Sequence, residues 1–182
     1  MQFELLSTKS ESPSILGFRI TQVYSVNKLR PEDKGESIVE SLIRSYEFSD
    51  THAYSKNEKL DQRNRKKFYQ VGFANRGPID ISQLEVSDSS QLSFSELDHI
   101  IREQKMKEND WGNDLPVFQQ LYDRTYTEIN NSELIKHPVF YLDVDKLLTH
   151  KVIKDSGYGY YLMILIFVDH EQKVYVFDHG GD

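Results

Sequence analysis

The longest unbroken apolar stretch of the chain is YYLMILIFV at 160–168, nine apolar or aromatic residues in succession. A strand with one solvated face alternates polar and apolar residues, so an unbroken run indicates a strand that is covered on both faces. The polar DHEQ at 169–172 has the length of a tight hairpin loop. The pattern therefore predicts a central strand, with residues 173–178 folded back antiparallel against it.

Shorter segments with strand character lie at 2–6, 18–26, 67–74, 79–86 and 138–144. Apolar and polar residues nearly alternate along 18–26. This pattern predicts a half-buried strand with Phe18 and Ile20 on one face and Arg19 and Thr21 on the other. The Ser-rich TKSESPS that follows residue 6 predicts a turn or loop.

Three segments have helical periodicity and recognisable start signals. Ser37 or an earlier residue is expected to cap the first, Ser93 and Glu96 fit a capping box for the second, and Asp114 with Pro116 suits the start of the third. The predicted buried stripes are Ile38, Val39, Leu42, Ile43 and Tyr46 in the first helix, Leu97, Ile100 and Ile101 in the second, and Val117, Leu121, Tyr122, Thr125, Tyr126 and Ile129 in the third.

Strands and helices follow one another without a regular repeat. This order indicates an α+β fold, with a mainly antiparallel sheet, a buried C-terminal β-hairpin and about three helices packed on the sheet. A chain of 182 residues is expected to form a single globular domain over 1–182. The polar, weakly patterned segment at about 48–66 predicts a mobile loop.

Composition narrows the possible classes of protein. Charged residues make up 28% of the chain and its mean hydropathy is -0.60, which indicates a soluble protein with no membrane segment. The chain has no cysteine, so disulfides and thiolate chemistry are excluded. The N-terminus lacks the pattern of a secretion signal, and a cytoplasmic location is expected. No motif for a cofactor is present.

Charge is unevenly distributed along the chain. Residues 1–91 contain 13 Lys or Arg and 13 Asp or Glu, whereas residues 92–182 contain 9 and 16. The second half therefore carries the whole net charge of -7, which makes nucleic acid an improbable partner for it. A basic run at 56–67 is better suited to an exposed loop or to an acidic protein patch than to nucleic acid.

Two sets of residues are candidates for metal-dependent hydrolysis. Asp143 and Asp145 follow an apolar strand, where paired carboxylates can bind Mg²⁺. They resemble the DxD opening of haloacid-dehalogenase-like phosphotransferases, although Leu147 stands where that pattern has Thr or Val.

The second set resembles the PD-(D/E)xK signature of metal-dependent nucleases. It consists of Asp155, Glu171 and Lys173, in which the carboxylates would bind the metal and the lysine would activate water. Glu171 falls in the predicted hairpin loop, where a charged residue is usually only solvated.

Two Asp-His dipeptides, at 169–170 and 178–179, contain residue types that ligate zinc. If Val168 pairs with Lys173, Asp178 pairs near Met163, which places the dipeptides at opposite ends of a hairpin about 17 Å long. They are therefore expected to be separate, solvated strand ends.

No convergent catalytic set emerges, so the sequence favours a non-catalytic protein that binds another protein through its acidic C-terminal half, by analogy with inhibitor or immunity-type proteins. Two alternatives stay open: a metal-dependent hydrolase or nuclease, and an adaptor or structural subunit of a larger assembly. The candidate contact residues for a partner are Trp111, Tyr158, Tyr160, Asp169 and Glu171.

Overall fold

The centre of the protein is an antiparallel sheet. In the computed structural model, which describes residues 1–14, 17–48, 89–108, 114–143 and 160–181, six strands are present in the order β1-β2-β6-β5-β4-β3. The strands are β1 Gln2–Ser14, β2 Gly17–Asn27, β3 Ser90–Leu92, β4 Val139–Asp143, β5 Tyr160–Val168 and β6 Lys173–Gly181. The longer helices of these ranges are α1 Gly35–Ile43, α2 Phe94–Glu103 and α3 Leu115–Asn130. The predicted α+β class is confirmed.

The C-terminal hairpin has the predicted register. Val168 pairs with Lys173 and Met163 pairs with Asp178, so β5 and β6 are the two central strands of the sheet. The loop between them contains a short 3₁₀ turn at Asp169–Glu171, followed by Gln172 in the left-handed conformation with φ of 52°. The four-residue loop length was a sufficient signal for this register.

The sheet is covered on both faces, which explains the unbroken apolar run of β5. Alternate residues of β5 contribute to two separate cores, one beneath α1 and one beneath α2 and α3. Met163, Leu165 and Phe167 face α1, whereas Leu162, Ile164, Ile166 and Val168 face α2 and α3. Every one of these seven side chains is buried.

Helix α1 begins one turn earlier than Ser37 and ends before Tyr46. Its N-cap is Lys34, and Ser37 lies at the third helical position, where its hydroxyl accepts from the Lys34 backbone N–H over 2.9 Å. Four of the five predicted stripe residues are buried, but Tyr46 is 77% exposed. The prediction for Tyr46 was wrong because the helix ends at Ile43, so helical spacing no longer sets its direction.

Helices α2 and α3 bury one face each against the sheet. The capping box is confirmed: the Ser93 hydroxyl accepts from the Glu96 N–H, and the Glu96 carboxylate accepts from the Ser93 N–H over 2.7 Å. Asp114 is the N-cap of α3, although its side chain makes no capping hydrogen bond. Phe118 was missed by the stripe and is fully buried, whereas Val117 lies at the edge of the core.

Two further predictions about the first strands need correction. The TKSESPS segment is not a turn, because β1 continues to Ser14 as an edge strand with irregularities between Leu5 and Ser7 and between Glu11 and Ser14. An edge strand tolerates polar side chains on both faces, so periodicity does not reveal it. Strand β2 has the predicted faces but is buried on both, from Gly17 to Gln22.

Several predictions lie outside the described residues. They are nearly all of the 48–66 loop, the strand segments at 67–74 and 79–86, and the basic run at 56–67.

Candidate functional site

One end of the sheet carries an exposed group of polar side chains around the β5–β6 turn, which we call the turn end. It contains two of the predicted contact residues, Asp169 and Glu171. One Glu171 oxygen, Oε2, accepts hydrogen bonds from the Lys173 ammonium and from the Tyr175 hydroxyl, both over 2.8 Å. The Lys173 hydrogen bond, followed by that of Tyr175, holds the pKa of Glu171 below its ordinary value.

Two histidines far apart in sequence meet at the turn end. His137 precedes β4 and His170 lies in the β5–β6 turn, and their rings stack with centroids 5.9 Å apart and planes 28° apart. The second Glu171 oxygen, Oε1, lies 3.9 Å from His170 Nε2. Spacing in the sequence does not reveal this pair, because only the sheet order brings the two segments together.

Two clefts border His137. The larger, of about 620 Å³, has Phe140, Phe167 and Pro138 among its apolar lining and Asp33 and Asp169 among its polar lining. The smaller, of about 360 Å³, shares His137 and Pro138 with it and reaches Ile135. Because both signs of charge line the larger cleft, which also includes Arg30 and Lys34, it does not select a ligand by charge.

Two of the remaining predicted site residues lie in described strands, at the same end of the neighbouring strands β4 and β5. Asp143 is the last residue of β4 and Tyr160 is the first of β5. Asp145, Asp155, Trp111 and Tyr158 lie outside the described ranges. Of the nuclease-like set, the structure therefore places only the ion pair between Glu171 and Lys173.

The opposite end of the hairpin contains a buried polar network. Arg19 on β2 and His179 on β6 occupy paired positions, and Thr125 of α3 lies between their side chains. Arg19 Nε donates to the Thr125 hydroxyl oxygen over 2.5 Å, and that oxygen is 3.0 Å from His179 Nε2. Arg19 also contacts Glu128 of α3 and Glu11 of β1, so the guanidinium charge is compensated.

Burial dominates the electrostatics of this network. Burial and then the positive charge of Arg19, against a smaller opposing effect of Glu11, together lower the pKa of His179 to about 3. A neutral His179 accepts from the Thr125 hydroxyl at Nε2 and carries its ring proton on Nδ1, for which no hydrogen-bond partner exists within the described part of the chain. The prediction that the second Asp-His dipeptide is solvated was wrong: Asp178 and His179 are both fully buried.

The outer surface of α2 and α3 contains a third polar arrangement, which we call the helical face. It consists of Asp98, Arg102, Glu103, Asp123 and Tyr126. Arg102 donates to Asp98 on its own helix and to Asp123 on α3, both over 2.8 Å. Its guanidinium also lies 5.1 Å from the Tyr126 ring centre. Sequence reasoning missed this group because its members are ordinary surface residues when read singly.

Two general features bear on function. Among the residues described, no group of three or more His, Asp or Glu side chains is arranged so that it could hold a metal ion. None of the described helices is both long and apolar enough to span a bilayer.

Comparison with known proteins gives a distant structural likeness. No protein-family model and no curated protein sequence matches the chain. The crystal structure of citrus MAF1 aligns with 91% of this chain and 88% of that chain, at 12% sequence identity and a TM-score of 0.36. This TM-score is too low for the match to support a conclusion about this chain.

Proposed function

We propose that the protein acts by binding another protein, of basic character, through the helical face. The observation that carries the proposal is Arg102, which is held in one position by two carboxylates and two aromatic rings. Its guanidinium lies 5.3 Å from the Tyr122 ring centre and 5.1 Å from that of Tyr126. Side chains that are already ordered lose little conformational entropy on association, so such a group suits a contact surface.

The residue types of the helical face support this proposal. Tyr and Arg are enriched at the energetic centres of protein interfaces. Tyr126 is half-buried and Arg102 keeps 35% of its side chain exposed, so both remain accessible to a partner. The buried Tyr122 hydroxyl donates to Asp98 over 3.2 Å and fixes that carboxylate from below.

The charge around this centre favours a basic partner. The described residues 94–108 and 114–130 contain seven acidic and four basic side chains, and one of the four, Lys105, is buried. An acidic surface accelerates encounter with a basic protein and makes association sensitive to salt. A cytoplasmic location is part of the same proposal, supported by the absence of cysteine.

The test is affinity capture with the intact chain, followed by kinetic binding measurements on the purified partner between about 0.05 and 0.5 M salt. We expect association to slow by at least about tenfold over this range. Tyr126→Ala should weaken the complex by about thirtyfold, mainly through faster dissociation, because it removes the aromatic centre.

A matched pair of charge reversals separates the helical face from general electrostatics. Glu103 pairs with Lys107 on α2, and Glu40 pairs with Arg44 on α1, each with i,i+4 spacing. Glu103→Lys should slow association several-fold, whereas Glu40→Lys should leave it nearly unchanged. Salt-insensitive binding, equal effects of the two reversals, or the absence of any partner would contradict the proposal.

A further inference from the structure

The stacked rings of His137 and His170 have a centre-to-centre separation close to that of two imidazoles on one metal ion. A ligating nitrogen lies about 2.0–2.1 Å from zinc, so the ring centre lies about 3.1 Å from the ion. Two rings on a tetrahedral ion then have centres about 5 Å apart. The observed 5.9 Å exceeds this separation by less than about 1 Å.

The two rings have unequal freedom to close this gap. His137 is half-buried between the 3₁₀ turn at Glu133–Lys136 and β4, so it has less room to move. His170 has 63% of its side chain exposed and can turn about its side-chain bonds. A shared metal ion requires His170 to turn, so that one nitrogen from each ring points at a common position.

Glu171 supplies a carboxylate beside the pair. Its Oε2 atom is held by Lys173 and Tyr175, while Oε1 is directed toward the His170 ring at 3.9 Å from Nε2. A glutamate carboxylate is ionised near neutral pH, which is the form that ligates a metal.

Other charges around the pair nearly cancel. Glu133 also lies close to both imidazoles. Its pKa is lowered first by Lys136 and then, to a smaller extent, by His170 and His137. Lys136 and Lys173 neutralise the two glutamates in part. The local field is therefore balanced, and affinity must come from the donor atoms rather than from net negative charge.

We propose that His137, His170 and Glu171 form a binding site for a first-row divalent metal ion, zinc in particular, after His170 turns toward His137. Two imidazole nitrogens and one carboxylate oxygen are a donor set that zinc accepts, with water completing the tetrahedron. Binding there would tie the β5–β6 turn to the segment before β4. The site is separate from the helical face and does not depend on it.

The experiment is calorimetric titration of the intact, metal-free protein with Zn²⁺ at neutral pH. We expect one Zn²⁺ per chain with micromolar affinity, weakened at least tenfold by His137→Ala and by His170→Ala and several-fold by Glu171→Gln. His99→Ala is the matched control, because His99 is exposed on α2 and should not contribute.

Thermal unfolding provides a second measurement. Zn²⁺ should raise the melting temperature of the unmodified protein by several degrees and have no effect on His170→Ala, since ligands that bind only the native state stabilise it. His170→Ala serves here because an exposed residue can be removed without loss of the fold. The proposal is overturned if Zn²⁺ does not bind below about 1 mM, or if binding survives both histidine substitutions and so arises elsewhere in the chain.

Discussion

The two Asp-His dipeptides of the chain lie at opposite ends of the same hairpin and have opposite environments. At the turn end, Asp169 and His170 are exposed, and His170 stacks on the half-buried ring of His137 and lies near a Glu171 oxygen. At the other end, Asp178 and His179 are fully buried. The same dipeptide therefore forms an exposed surface group at 169–170 and part of a buried hydrogen-bond network at 178–179.

The difference arises from what lies across the sheet rather than from the dipeptides themselves. His179 pairs in register with Arg19 and is covered by α3, which supplies Thr125. At the turn, β5 and β6 are joined by a loop, and the described part of the chain places no helix over His170. Position within the sheet thus decides whether a histidine supports stability or remains available for ligands.

The largest predicted difference between the two ends is the effect of acid on stability, which acts through the buried end. Because the native pKa of His179 is about 3 and its ordinary value is 6.5, the unfolded chain binds a proton that the native protein excludes within this window. Stability should fall as pH falls from about 6.5 to 3, by about 1.4 kcal/mol per unit and about 4 kcal/mol in all.

Urea unfolding at a series of pH values measures this slope. In His179→Gln, the slope between pH 6.5 and the ordinary glutamate pKa of 4.5 should flatten, whereas His170→Ala should keep it. The lowered pKa of Glu11, which reflects its hydrogen bonds to Lys9 and Arg124 working against burial, adds a loss of stability below pH 4.5 in both variants. An unchanged slope in His179→Gln would show that this histidine does not titrate on unfolding.

Removal of the central hydroxyl from the buried network should have the next largest effect. Thr125→Val preserves shape but leaves Arg19 Nε and His179 Nε2 without their shared partner, which should cost about 2 kcal/mol of unfolding free energy. Thr127→Val on the same helix is the control: its exposed hydroxyl bonds the Asp123 carbonyl, and its loss should stay within about 0.5 kcal/mol. If chemical denaturation shows equal losses of unfolding free energy for Thr125→Val and Thr127→Val, the buried network does not contribute more to stability than a surface hydroxyl does.

The smallest effect is expected at the turn end. His170→Ala should change the unfolding free energy at neutral pH by less than about 0.5 kcal/mol, because the ring is exposed. Chemical denaturation in the absence of added metal measures this value. A loss above about 1 kcal/mol would mean that the ring stack is itself structural, and the contrast between the two ends would weaken.

Local signals in the sequence were sufficient for much of the fold. The length of the 169–172 loop set the hairpin register, and Ser93 with Glu96 located the start of α2. Local sequence signals failed where contacts with distant parts of the chain determine the structure. Edge strand β1 has no apolar periodicity after residue 6, and Tyr46 continues a helical stripe beyond the end of its helix.

The polar groups were harder to predict than the elements that carry them. Thr125 did give a signal, since a hydroxyl within an apolar helical stripe needs a buried partner, but the sequence does not say which. That partner, Arg19, is 106 residues away. His137 and His170 likewise belong to different elements, and only the strand order places them side by side.

The buried network also has a consequence for folding kinetics. Glu11 lies opposite Arg19 on the neighbouring strand β1, but Thr125 and Glu128 are 106 and 109 residues from Arg19 in the sequence, so the network is complete only after distant segments have docked. Contacts of such long sequence separation form late, because loop closure has to precede them. The network should therefore lower the unfolding rate and contribute little to the folding rate.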